Sequence, residues 1–150
     1  METMFPHVVT VYNTETVESA DTGFEPVLHN YITVLDGVYL DASKGTNVAE
    51  SGLEGADAVT LYIPTGVKAT DGVTGAAKEY ASPAEFWRAE DKSGLWTLTA
   101  NRSTFFVKGE VVQDWTSQKI EAQYGGVYDV SKVDEKDVGG DMAHWEVGGV

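Results

Sequence analysis

The sequence predicts a mainly β fold: a small antiparallel barrel or sandwich of about six or seven short strands, one or two short helices and two long loops. Three observations carry that expectation. Segments rich in β-branched and aromatic residues come in runs and do not alternate with helical patterns, which argues against a parallel α/β sheet. The chain has 150 residues, one domain's worth, so residues 1–150 are read as a single barrel-like domain. It lacks cysteine yet is 42% hydrophobic, with four Trp, seven Tyr and five Phe, enough to build a core without disulfide staples.

The elements follow in order. His7 to Asn13 (HVVTVYN) is a strand by β-branched content, and the polar stretch from Thr14 to Gly23 is a connecting loop. Val27 to Leu40 is too long for one flat strand. Asp36-Gly37 interrupts it, and a bend suits the strong local twist of a small closed sheet better than a hairpin turn. Asp41 to Gly55 is Gly-rich with mixed charge and no apolar period, so it reads as the first long loop. Ala58 to Pro64 alternates Val59, Leu61 and Ile63 with polar positions, a half-buried strand stopped by Pro64. Thr65 to Glu79 reads as the second long loop.

Ser82-Pro83-Ala84-Glu85 has a capping hydroxyl, a proline at the first helical position and a glutamate three residues after the cap, so a two-turn helix is expected there. Leu95–Ala100 and Thr104–Lys108 read as strands joined by a polar turn, and Lys108-Gly109-Glu110 as another turn. Thr116–Tyr124 is a short helix ended by Gly125-Gly126. Val127–Val133 is a strand, the acidic stretch Asp134–Asp141 a loop, and Met142–Val147 the last strand.

Charge narrows function. Acidic residues outnumber basic ones 24 to 10, a formal charge of −14, and the ten basic residues are scattered singly from Lys44 to Lys136. No cationic stripe exists to displace counterions from phosphates, so neither nucleic-acid binding nor attraction to an anionic membrane is expected. Met1–Tyr12 has no basic start and no apolar run of signal-peptide length, so the expected place of synthesis is a cytoplasm.

Candidate chemistry is thin. The Gly66–Gly75 stretch lacks the Gly-Lys-Ser/Thr ending of a phosphate loop. Glu85 and Glu90 flank Phe86 and Trp87, a pattern that resembles a glycosidase pair but reads better as a surface helix with its aromatics turned to the core. His144 and Glu146 share a strand face and, with His7 or His29, offer metal donors; a strand histidine with one hydrogen bond is the preferred reading. Asp134, Glu135, Asp137 and Asp141 lack calcium-loop spacing. Trp87 and Trp96 are assigned to the core, while Trp115 and Trp145 are open between core, interface and sugar platform. No catalytic residue, metal or cofactor is assigned.

The order of several motifs resembles a known group. These are the opening His7-x-Val9-Thr10-Val11-Tyr12-Asn13, the Tyr31 to Tyr39 strand with Leu35, Gly37 and Val38, Ala56-Asp57-Ala58-Val59 leading to Ile63-Pro64, and Tyr80 with Pro83, Glu85 and Phe86. Trp96-Thr97-Leu98, Lys108-Gly109-Glu110, Val127-Tyr128-Asp129-Val130 and His144-Trp145-Glu146-Val147 complete the order. Together they resemble small tailed-phage and prophage proteins of the head–tail connector and minor-capsid type. That resemblance implies a small barrel with long loops, a homo-oligomeric ring between portal and tail proteins, no enzymatic activity, and a virion location after assembly in a bacterial cytoplasm. Under it, Trp115 and Trp145 are expected as interface anchors, with Asp71 and Glu50 as loop contacts. The alternative is a carbohydrate- or surface-binding β module.

Overall fold

The computed structural model describes residues 5–17, 23, 27–42, 59–100, 103–136 and 143–150. Nine strands and two helices occur among them: β1 (His7–Val17), β2 (Val27–Asp41), β3 (Val59–Pro64), β4 (Lys68–Asp71), β5 (Glu79–Tyr80), α1 (Pro83–Arg88), β6 (Leu95–Trp96), β7 (Thr104–Lys108), α2 (Ser117–Tyr124), β8 (Val127–Lys136) and β9 (His144–Gly149). Six strands close into an antiparallel ring, β1-β7-β8-β9-β3-β2 and back to β1, and β4 adds beside β2.

The long second strand is one bent strand. His7 pairs with Val38 but Val8 pairs with Asp36, so Gly37 is the extra residue of a bulge. Its φ of +103° is one that side-chain-bearing residues rarely adopt. The bulge lets β2 pair with β1 along one edge, and with β3 (Tyr39–Asp41) and β4 (Thr33–Asp36) along the other.

Alternation along the strands builds two cores. Val9, Val11, Leu35, Val38, Leu40, Val59, Leu61, Ile63, Phe106 and Val147 fill the barrel, joined by Trp96, Leu98 and Trp145. The opposite face of the β2-β1-β7 wall carries Tyr12, Ile32, Phe105 and Val107, which pack with Val111 and with Ile120 of α2. Residues 109–115 run along that outer wall. Thr10 Oγ1 donates to Gly109 O (2.8 Å) and accepts from Val111 N–H (2.9 Å), the Tyr12 hydroxyl donates to Gln113 O (2.8 Å), and Asn30 Nδ2 donates to Trp115 O (2.8 Å).

Both helix starts form as read. Ser82 Oγ caps its helix by accepting from Glu85 N–H and donates to Glu85 Oε1 at 2.9 Å, and Thr116 Oγ1 accepts from Lys119 N–H. Four expectations need correction. Thr14–Val17, expected at the start of a loop, extend β1 and pair with Val27–Asn30 of β2. The second predicted loop holds β4 and a tight return, with Thr70 bridging Ala77 and Lys78 N–H donating to Ala69 O at 2.9 Å. Only Leu95–Trp96 of the predicted 95–100 strand pairs, parallel to β5, because the buried Asn13 side chain takes the Thr97 backbone groups (Nδ2 to Thr97 O, 2.9 Å; Thr97 N–H to Oδ1, 3.3 Å). Asp134–Lys136 extend β8 and pair with β9. Of the first predicted loop, Asp41–Gly55, Asp41 ends β2 and the residues from Ser43 onward lie outside the described ones.

Candidate functional site

Strand register brings together residues that are far apart in sequence. Leu40, Leu61, Ile63, Trp145 and Val147 point into the barrel, so Tyr39, Tyr62, His144 and Glu146 point out. On this outer wall the rings of His7, Tyr39, Tyr62 and His144 form a row across β1, β2, β3 and β9, with centroids 5.4, 5.9 and 6.1 Å apart and planes tilted by 35, 55 and 47°. Tyr39 is 40% exposed, and Tyr62 and His144 are half-buried. The row is fixed from below: His7 Nδ1 accepts from Leu40 N–H (3.0 Å), which also assigns the Nδ1 lone pair. At its β9 end Glu146 lies 3.8 Å from the Lys136 ammonium and 3.6 Å from the His144 ring. Partial burial, with Glu146 and Asp41 nearby, raises the Tyr62 hydroxyl above its ordinary value, so it stays a neutral donor at physiological pH.

A row of part-exposed aromatic rings, Tyr39 the most exposed, on a chain of charge −14 is chemically suited to contact another macromolecule. Sequence spacing hides the row, because its members come from strands more than 130 residues apart at the extremes. The available signal is an aromatic residue at the outward position of each of two strands, Tyr39 and Tyr62.

A second feature is an open groove of about 560 Å³ beside the start of α2, lined by Thr14, Thr16, Asn30, Ser103, Thr116 and Ser117, with Phe105 and Leu28 as apolar floor. It offers hydroxyl and amide groups over the largely buried Phe105 ring.

The residues expected at an interface lie apart. Trp145 is 6% exposed, packed against Tyr80 (4.5 Å) and Trp96 (5.9 Å) inside the barrel, so the expectation of a surface anchor there is corrected to a core residue. Trp115 is half-buried over the outer core, stacked on Tyr124 (6.2 Å), with the Lys119 ammonium 4.4 Å above its ring. Asp71 is engaged within the chain: it accepts from Val73 N–H (2.9 Å) and Thr74 N–H (2.7 Å) and pairs with buried Lys78 (3.3 Å). Glu50 lies outside the described residues. Trp96 is buried as read, whereas Trp87 is half-buried, its Nε1 donating to Thr99 (3.2 Å). Glu85 serves its helix cap, and two tyrosines separate His7 from His144.

The profile of a family of unknown function, DUF6751, matches residues 5–150. The chain belongs to that family. No curated protein and no solved structure matches it. The DUF6751 match spans the aromatic row, both cores and the groove. No helix among the described residues is long and apolar enough to cross a membrane.

Proposed function

We propose that this chain is a non-enzymatic structural protein of tailed-phage or prophage virion assembly, a head–tail connector or minor capsid component that works as a homo-oligomeric ring in contact with portal and tail proteins. The observation that carries the reading is the outward aromatic row His7–Tyr39–Tyr62–His144 on a closed barrel. Tyrosine rings buried at the centre of a contact supply affinity without bringing like charges together. The closed barrel holds them rigidly, so little ordering entropy is lost on docking. The acidity elsewhere fits a surface along which DNA passes without sticking. Assembly in the host cytoplasm and residence in the virion follow from the same reading.

The test is electron microscopy of the full chain mixed with its portal assembly. Ring density on the portal, lost when Tyr39 and Tyr62 are both replaced by Ala, is the expected result. A chain that never binds portal or tail components overturns the reading. The hydroxyl- and amide-lined groove beside α2 favours a second reading, a carbohydrate- or surface-binding module. A glycan array discriminates: a specific sugar signal supports this second reading, and silence across the array removes it.

A further inference from the structure

The β1–β2 pair outruns the barrel. These strands pair at eleven positions, to Val17 and Val27, but β7 reaches β1 only as far as Asn13 and β4 reaches β2 only from Thr33. Beyond those points a two-stranded ribbon continues with no other described strand on either edge. Backbone groups alternate sides along a strand. Thr14 N–H faces the β7 side, where it donates to Ser103 O (2.7 Å), and Ile32 O faces the β4 side, where it accepts from Gly72 N–H (3.0 Å). The same alternation directs the backbone groups of Thr16 out of one edge and those of Leu28 and Asn30 out of the other. Among the described residues, no other strand pairs with either edge there.

An open edge is normally guarded by lysine, proline or shortness. Strand β8, which β7 pairs only at Val127–Asp129, carries Lys132 and Lys136 along its remainder. The β2 edge, Val27–Tyr31, reads VLHNY: no lysine, no proline and no carboxylate, with Leu28 51% exposed. The β2 edge of the ribbon therefore lacks the lysines that the open edge of β8 carries.

We infer that this ribbon is the copy-to-copy contact, the β2 edge of one copy adding to the β1 edge of the next. The inference rests on the ring reading and says which surface closes the ring. Two opposite open edges on one ribbon make a head-to-tail contact, the type that generates closed rings. Copies related by rotation keep their strand directions, so β2 of one copy meets β1 of the next antiparallel, continuing the existing ladder. Charge favours a second copy as occupant. The described paired segments hold one carboxylate, Glu15, already accepting from the Tyr31 hydroxyl at 3.0 Å, so strongly acidic copies meet where each is nearly neutral. Glu15 and His29 are cross-strand partners, so a continued sheet sets them in an alternating row of acceptor and imidazole donor.

The experiment is sedimentation velocity of the full chain, alone and with its portal assembly, for wild type, Leu28→Pro and Leu28→Lys. Leu28 N–H points away from β1, so proline there spares the β1–β2 ladder, and lysine keeps the backbone bonds while guarding the edge. Circular dichroism checks that both variants fold. Association about tenfold weaker in each variant is the expected result, the effect of one or two lost edge hydrogen bonds. Folded variants that assemble as well as wild type overturn this contact while the ring reading stands. Variants that self-assemble normally but lose portal binding assign the edge to a portal strand and overturn the second copy as occupant. Wild type that stays monomeric under both conditions overturns the ring reading and this contact together.

Discussion

Two buried polar side chains tie loops to the barrel. Lys78 reaches its ammonium, 1% exposed, to Asp71 (3.3 Å), Ile32 O (3.1 Å) and Thr33 Oγ1 (3.0 Å), binding the β4 return to β2. Burial pulls the Lys78 ammonium below its ordinary value, and the Asp71 carboxylate opposes that. For Asp71, burial acts to raise the carboxyl, but N–H bonds from Thr74 and Val73 together with Lys78 outweigh it, and the net shift is downward. A carboxyl lowered in the folded state contributes stability above its ordinary value of 3.8 that is lost as pH falls through the folded value. Asp71→Asn strands a buried charge and, with Asp71 partly solvated, is expected to cost about 1–3 kcal/mol near neutral pH. Chemical denaturation across pH checks this: the gap between wild type and variant should hold above pH 5, by about one unit's margin, and shrink below 3.8. A gap unchanged in acid would show that the pair contributes nothing. Asn13, 0% exposed, grips Thr97 on both backbone groups and Thr104 Oγ1 (3.2 Å). Asn13→Leu should cost about 2–3 kcal/mol in denaturant titration, since both Thr97 groups lose their partner in a dry site.

At the scale of elements, β9 is fitted to its neighbours with no spare room. A Cβ on Gly149 would lie 2.9 Å from Phe106 Cζ, from Tyr128 Cβ and from Val59 Cγ2, in the gap where the β8 register shifts between Val130 and Lys132. Gly149→Ala is expected to lower stability by about 1–3 kcal/mol, measured as a lower melting temperature, because three packed groups must move. The same strands show what sequence reveals. The helix start at Ser82 is legible because capping is local chemistry, and the second helix is legible from the four-residue spacing of Ile120 and Tyr124 and the glycines that end it. The bend at Gly37 is legible as the preferred alternative to a hairpin turn, because the twist of a small closed sheet suits a bent strand there. By contrast β4 (KATD) is too short to show a period, and Asp134–Lys136 form a strand through pairing with β9 while their side chains stay in water. Leu95–Ala100 carries a strand pattern, but a side chain, Asn13, supplies what a partner strand would have given.

On the scale of the whole molecule, closure of the barrel creates features that no segment contains. The aromatic row exists because β1, β2, β3 and β9 become neighbours, and the open ribbon because β1 and β2 are longer than the strands beside them. The fold class could be read from the sequence, whereas this candidate site could not, since register and not spacing assembles it. Trp145, conspicuous in sequence, is enclosed by the same closure. Net charge acts at this scale too. Identical copies of charge −14 repel over a Debye length of about 10 Å in 0.1 M salt. Self-association should therefore weaken at low ionic strength and recover as salt is added, followed by light scattering. Association indifferent to salt would deny the acidity any part in assembly.

The most direct measurement is the mass, by multi-angle light scattering, of the species formed when the full chain meets its portal assembly at moderate salt. One discrete mass is expected, equal to the portal plus a fixed number of copies, and the Tyr39→Ala/Tyr62→Ala chain should leave the portal mass unchanged. Portal and chain eluting at their separate masses under every salt condition would contradict a connector role.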